Sequence, residues 1–164
     1  MHATTPDTPL TRVLFVCLGN ICRSPLAEGV FLHLVREAGL ADRFEVDSAG
    51  TGDWHVGERP DARAAAVAHR HGVELPSRAR QVTRDDLDTF DHVLAMDREN
   101  LRELERLARP GARAEIRLLR VHDPVRDGDD VPDPYYGGPS GFDLVYEMVH
   151  RSCSALLVEL TATR

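Results

Sequence analysis

An α/β domain built on a parallel sheet is what this sequence predicts, on three observations. Apolar runs of strand length alternate with stretches of helical periodicity. Several of the helical stretches close on glycine or proline. The 164 residues contain no linker, repeat or low-complexity tract to divide them.

Residues 1–10 are polar, carry two prolines and read as a frayed tail, which leaves 11–164 as one domain. The first strand is Arg12–Cys17, because Val13-Leu14-Phe15-Val16 is continuously apolar, as a strand covered on both faces must be. A helix over Pro25–Ala38 is indicated by Leu26, Val30 and Leu34, with Gly39 as its stop. Phe44–Asp47 reads as the second strand, and Asp61–His71 as a helix closed by Gly72. A short helix at Thr83–Leu87 precedes the third strand, His92–Met96. Arg98–Leu107 is helical up to Pro110-Gly111, and Glu115–Leu119 is the fourth strand. The last helix, Gly141–Leu160, opens on the capping-box-like Ser140-x-x-Asp143. Ligands of open parallel sheets bind where the strands end, at a switch point of the topology. Cys17 leaves the first strand at such an end.

From the end of that strand the chain reads Cys17-Leu18-Gly19-Asn20-Ile21-Cys22-Arg23-Ser24, closed by Pro25. A strand–loop–helix unit turns backbone N–H groups and a positive helix end into one concavity, which favours an anion. A cysteine there, beside an arginine, has its thiolate favoured. Such a thiolate can attack phosphorus and hold the phosphoryl group as phosphocysteine. The planar fork of Arg23 suits two phosphoryl oxygens, with loop amides left for the third. Gly19 permits close approach or positive φ, and Asn20 tolerates the left-handed region. Ser24 is placed to cap the helix and also to donate to the sulfur. A nucleotide-binding P-loop is excluded, since G-x-x-x-x-G-K-[ST] is absent and the chain has no lysine.

Composition excludes other classes. The formal net charge is −7, and a negative chain without a basic run is a poor nucleic-acid binder. No apolar run approaches the ~18 residues of a membrane span. Three cysteines without a secretory-type segment predict a reducing, cytoplasmic setting. The eight histidines show no metal-ligand spacing. Cys153 falls at helical spacing with Val149, Leu156 and Leu160, as a core residue does. Cys22 either packs under the loop or lies within disulfide reach of Cys17.

Ester cleavage by a thiolate needs an acid for the leaving oxygen. The stretch from Asp127 to Tyr136 offers Asp127, Asp129, Asp130 and Asp133 on a loop rich in proline and glycine, and spacing alone does not choose among them. A calcium loop does not fit, because the twelfth position from Asp127 is Gly138 where a bidentate Glu is required. Trp54, Tyr135 and Tyr136 lie in segments read as loops, where they either pack on the body or wall a slot for an aromatic group.

Taken together, these residues strongly resemble the low-molecular-weight protein tyrosine phosphatases. The likeness runs from Val13-Leu14-Phe15-Val16-Cys17 to the last helix, through Asp47-Ser48-Ala49-Gly50, Ala79-Arg80-Gln81, Met96-Asp97 and Asp133-Pro134-Tyr135-Tyr136-Gly137. The resemblance implies a four-stranded parallel sheet with helices on both faces. It implies Cys17 as nucleophile, Arg23 as phosphate clamp and Asp133 as general acid and then base. Leu18, Gly19, Asn20, Ile21, Cys22 and Ser24 complete the phosphate-binding loop, with Ser24 supplying a thiolate-stabilising hydroxyl. Asn20, Ser48 and His71 match a network that supports the loop, Asp97 matches the carboxylate that orients the arginine, and Trp54, Tyr135 and Tyr136 match the pocket wall.

Three rivals share or mimic the scaffold. Arsenate reductases that resemble it pass oxidation to two further mid-chain cysteines, whereas here only Cys153 remains beyond the loop. Protein-arginine phosphatases of the family carry threonine where this chain has Ile21, and an apolar branched side chain favours an aryl ester over a guanidinium. A non-catalytic phosphotyrosine-binding module does not need both Cys17 and Asp133. The expectation is therefore a cytoplasmic, monomeric phosphatase of phosphotyrosine proteins, without metal or cofactor and without nucleic-acid or membrane partners.

Overall fold

In a computed structural model of the chain, residues 10–135 and 139–162 are described. Positions 1–9 of the expected tail lie outside them. Four strands, β1 (Thr11–Cys17), β2 (Phe44–Gly50), β3 (His92–Ala95) and β4 (Glu115–Leu118), pair in parallel in the order β2-β1-β3-β4. Five helices accompany them: α1 (Arg23–Glu37), α2 (Ala62–Arg70), α3 (Arg84–Thr89), α4 (Arg98–Leu107) and α5 (Pro139–Ala162).

The apolar run of β1 is the centre of the molecule. Its side chains alternate between the two faces, as strand geometry requires. Val13 and Phe15 enter the core shared with α1, α2 and α5, where Phe31 meets both Phe15 and Phe44 ring to ring at 5.7 and 5.5 Å. Leu14 and Val16 enter the opposite core with Leu87 of α3, Leu104 of α4 and Val93. All four are fully buried, and burial of each contributes about 1.5–3 kcal/mol. The expected fold, with helices on both faces of the sheet, is therefore present.

Most element boundaries lie within one or two residues of those the sequence predicts, and the end of β2 and the start of α1 differ in ways that bear on the site. β2 runs on to Gly50 because Ser48, Ala49 and Gly50 stay in register with Phe15, Val16 and Cys17. Small residues with little strand preference are held there by pairing. α1 begins at Arg23, with Cys22 at its N-cap and no side-chain cap. Ser24 therefore lies inside the first turn and does not cap the helix.

The chain leaves β1 for β2 on one side and returns to β3 on the other, so the order reverses at β1. This switch point opens a crevice beyond the carboxyl ends of the strands. Cys17 is the last residue of β1 and stands at its mouth. Among the described residues, no helix is long and apolar enough to cross a membrane.

Candidate active site

The segment from Cys17 to Arg23 wraps around the end of β1. Its tight curvature is taken by Asn20, which alone among the described non-glycine residues has positive φ, 57°. Gly19 does not adopt it; a side chain there would start 3.0 Å from the His55 ring, so its smallness serves close approach. The backbone N–H of Asn20 donates to Cys17 Sγ at 3.2 Å. Those of Gly19, Ile21, Cys22 and Arg23 have no acceptor among the described residues. Such a run of open N–H groups ahead of a helix is an anion site.

Behind the loop lies a chain of buried hydrogen bonds. Ser24 Oγ sits 3.0 Å from Cys17 Sγ. Asn20 Nδ2 donates to Ser24 Oγ at 2.8 Å and to Ser48 Oγ at 3.0 Å, while Asn20 Oδ1 accepts the Arg80 backbone N–H at 3.0 Å. Ser48 donates its own proton to Glu28 Oε1 at 2.6 Å, and Ser77 donates to Glu28 Oε2 at 2.6 Å. The expected third member, His71, is not in this network. It lies exposed at the end of α2, its ring stacked on Tyr146 at 3.9 Å, and Glu28 and Ser77 stand on the buried side instead. Glu28 was legible in principle: it shares the buried face of α1 with Phe31 and Val35, a place where glutamate is rare.

Arg23, 3% exposed, is held by Asp97 Oδ2 at 2.7 Å and the Val131 carbonyl at 3.0 Å, with Asp133 at 3.6 Å. Asp97 gives its other oxygen to the backbone N–H of Asn100, capping α4, so one carboxylate fixes both helix and arginine. Val131 is tied back to the end of β3 by its N–H on the Met96 carbonyl at 2.7 Å. The four carboxylates of the Asp127–Tyr135 loop separate here. Asp127 pairs with Arg120, Asp129 with Arg98 and Arg126, and Asp130 accepts the Arg98 backbone N–H. Among the four, only Asp133 borders the cavity. Its Oδ1 accepts the Tyr135 N–H at 3.0 Å, and its side chain is 41% exposed.

That cavity, about 450 Å³, has Cys17 and Arg23 at its floor and Trp54, His55, Asp133 and Tyr135 around it. Trp54 is 68% exposed, a free-standing wall rather than a core residue. It folds back over Gly52, where any Cβ would collide with the indole. Tyr135 has the guanidinium of Arg63 5.4 Å from its ring centroid. Tyr136 lies outside the described residues. Leu18 and Ile21 also line the cavity, Leu18 exposed and Ile21 buried. Cys22 is a buried free thiol, pushed up to about 12 chiefly by burial, and so keeps its proton at neutral pH. No group of three or more histidine, cysteine or acidic side chains among the described residues is arranged to hold a metal.

An anion-binding loop carrying cysteine and arginine thus stands at the switch point of a doubly wound sheet, and comparison with known proteins gives the class. A sequence model of the low molecular weight phosphotyrosine protein phosphatases matches residues 12–164. A low molecular weight protein-tyrosine-phosphatase of Streptomyces coelicolor is 53% identical over 150 residues, 89% of this chain and 91% of that protein. The pig low molecular weight phosphotyrosine protein phosphatase is 46% identical over 147 residues, covering 88% and 92%. Among solved structures, an Entamoeba histolytica protein tyrosine phosphatase superposes with a TM-score of 0.90 at 35% identity, covering 93% of this chain and 98% of that one. A Drosophila arginine phosphatase gives 0.86 at 38% identity, covering 90% and 96%. The chain belongs to the low molecular weight phosphotyrosine protein phosphatase family, and it is a protein-tyrosine phosphatase.

Proposed function

We propose that the enzyme hydrolyses phosphotyrosine in proteins, and small aryl phosphates, through a phosphocysteine on Cys17, with Asp133 as acid and then base and with no metal or cofactor. The observation that carries this reading is the convergence of Cys17, Arg23 and Asp133 on one cavity, while the neighbouring carboxylates are engaged elsewhere. In the first step the thiolate forms a bond to phosphorus as the ester bond breaks, and the phenolic oxygen leaves with the proton of Asp133. In the second, Asp133 takes a proton from water, water oxygen bonds to phosphorus, and the thiolate leaves. Arg23 and the open loop amides hold the phosphoryl oxygens throughout. Ser24 steadies the thiolate, Asn20 and Ser48 hold the loop, and Asp97 orients Arg23.

Selection of tyrosine rests on depth. Cys17 is 2% exposed below a wall of Trp54 and Tyr135, which a long phenolic ester spans and a serine ester does not. The enzyme acts as a cytoplasmic monomer on phosphotyrosine proteins, with neither nucleic acid nor membrane as partner.

The resemblance to the Drosophila arginine phosphatase makes phosphoarginine, a phosphoramidate with a P–N bond, the second reading, and Ile21 on the cavity wall speaks against it. Matched peptides bearing phosphotyrosine, phosphoserine or phosphoarginine test both readings. Phosphotyrosine is expected to be turned over best, and Ile21→Thr to raise the phosphoarginine-to-phosphotyrosine ratio by roughly tenfold, the worth of one or two polar contacts. A native preference for phosphoserine or phosphoarginine overturns the substrate class, and an unchanged ratio removes Ile21 as the determinant.

A further inference from the structure

Glu28 is the one carboxylate of α1 on its buried face, 2% exposed, and it accepts two short hydrogen bonds from serine hydroxyls on different elements. Ser48 belongs to β2, and Ser77 to the segment beyond α2. The charged groups facing it are Asp47 on β2 and Arg80 beyond Ser77, which act in opposite senses, and burial holds its proton affinity above the ordinary glutamate range.

Donor and acceptor roles at Asn20 and Ser48 are forced. The Arg80 backbone N–H can only donate, so the atom of Asn20 facing it is Oδ1, and both Nδ2 hydrogens face Ser24 and Ser48. Ser48 must then accept from Asn20 and send its own hydrogen to Glu28. Ser24 likewise accepts from Asn20, and its own hydrogen faces Cys17 Sγ at 3.0 Å and the Ala49 carbonyl at 3.4 Å. Asn20 also carries the positive φ and the backbone N–H that reaches the sulfur. The bonds therefore run two ways from Asn20, through Ser24 toward Cys17 and through Ser48 to Glu28, and Glu28 is the acceptor that closes the second arm. A proton on Glu28 does not reverse it, because Oε2 can donate to Ser77 while Oε1 still accepts from Ser48.

We propose that Glu28 is a positioning residue which, by accepting from Ser48, anchors Asn20 in the conformation that holds its backbone N–H and Ser24 against the Cys17 sulfur. Without an acceptor there, the Ser48 hydrogen is buried unsatisfied or turns on the Asn20 amide, and Asn20 is pushed from the loop conformation. The inference rests on Cys17 being the reacting thiol, as in the proposed function.

The test is the pH dependence of Cys17 alkylation by iodoacetate in the full chain, located by peptide mapping, which needs no turnover. Protection of the wild-type thiol by inorganic phosphate reports on the site itself, so its absence counts against the proposed function and not against Glu28. Ser48→Ala and Ser77→Ala each remove one hydrogen bond to Glu28, and a merely structural role predicts equal effects. The expected result is that Ser48→Ala and Glu28→Leu slow alkylation at pH 6 by about tenfold, the worth of a hydrogen bond to a charged group. Ser77→Ala and Glu28→Gln, which keeps an oxygen for Ser48, should retain the wild-type profile. Equal shifts in the two serine variants, no shift in Ser48→Ala, or a Glu28→Gln profile like that expected for Glu28→Leu overturns the proposal. If Glu28→Leu does not fold, the serine pair decides.

Discussion

Cys17→Ser is expected to reduce aryl phosphate hydrolysis by at least ~10⁴-fold, a loss of about 5.5 kcal/mol of transition-state stabilisation. The nucleophile is the anion, and the surroundings of this position are built for a sulfur anion: the Asn20 N–H at 3.2 Å and the Ser24 hydroxyl at 3.0 Å. Among the described residues, no histidine or carboxylate is hydrogen-bonded to Cys17 to take a proton from a serine in its place. Because Arg23 keeps its contacts to Asp97 and Val131 whichever residue stands at 17, the variant should still bind inorganic phosphate competitively. EDTA should leave the wild-type rate unchanged. Appreciable turnover by the serine variant, or loss of native activity on chelation, contradicts the mechanism.

Asp133→Asn should slow hydrolysis of phenyl phosphate by ~10²–10⁴-fold, or about 3–5 kcal/mol. The asparagine keeps an oxygen for the Tyr135 N–H, so the turn at 133–135 should survive and the loss should be chemical. p-Nitrophenyl phosphate, whose leaving group needs little protonation, should suffer less in the first step. Asp129→Asn and Asp130→Asn should fall within a few-fold of wild type, because those side chains serve Arg98 and Arg126 on the exposed side of the loop. A larger, leaving-group-dependent defect at either position would move the acid away from Asp133.

How far the sequence could be read depended on whether a residue acts within its own element or across the fold. β1 was legible because four consecutive apolar residues have few other uses, and the loop was legible because Cys17, Asn20, Arg23 and Ser24 lie in one short segment. The choice among four aspartates came from the family resemblance and not from spacing, since physically it depends on Arg98 and Arg120 from outside the loop, with Arg126 within it, engaging the other three. His71 was expected in the supporting network, yet the backbone at the end of α2 turns it toward Tyr146 on α5. Glu28 passed unnoticed because glutamate in a helix ordinarily means a solvated face, and its partners arrive from β2 and from Ser77, 20 and 49 residues away. The full length of β2 was hidden for the same reason, its last three residues being strand only by pairing with β1.

The central claim, covalent catalysis at Cys17, is tested most directly by trapping the intermediate. In Asp133→Asn, p-nitrophenyl phosphate should still phosphorylate the enzyme, while hydrolysis of the intermediate lacks its base and becomes limiting. Rapid mixing should then give a burst of nitrophenolate stoichiometric with enzyme, and a denaturing quench with peptide mapping should find the phosphoryl group on the peptide that carries Cys17. Turnover with no burst and no phosphopeptide, or a phosphoryl group on any residue other than Cys17, contradicts the account.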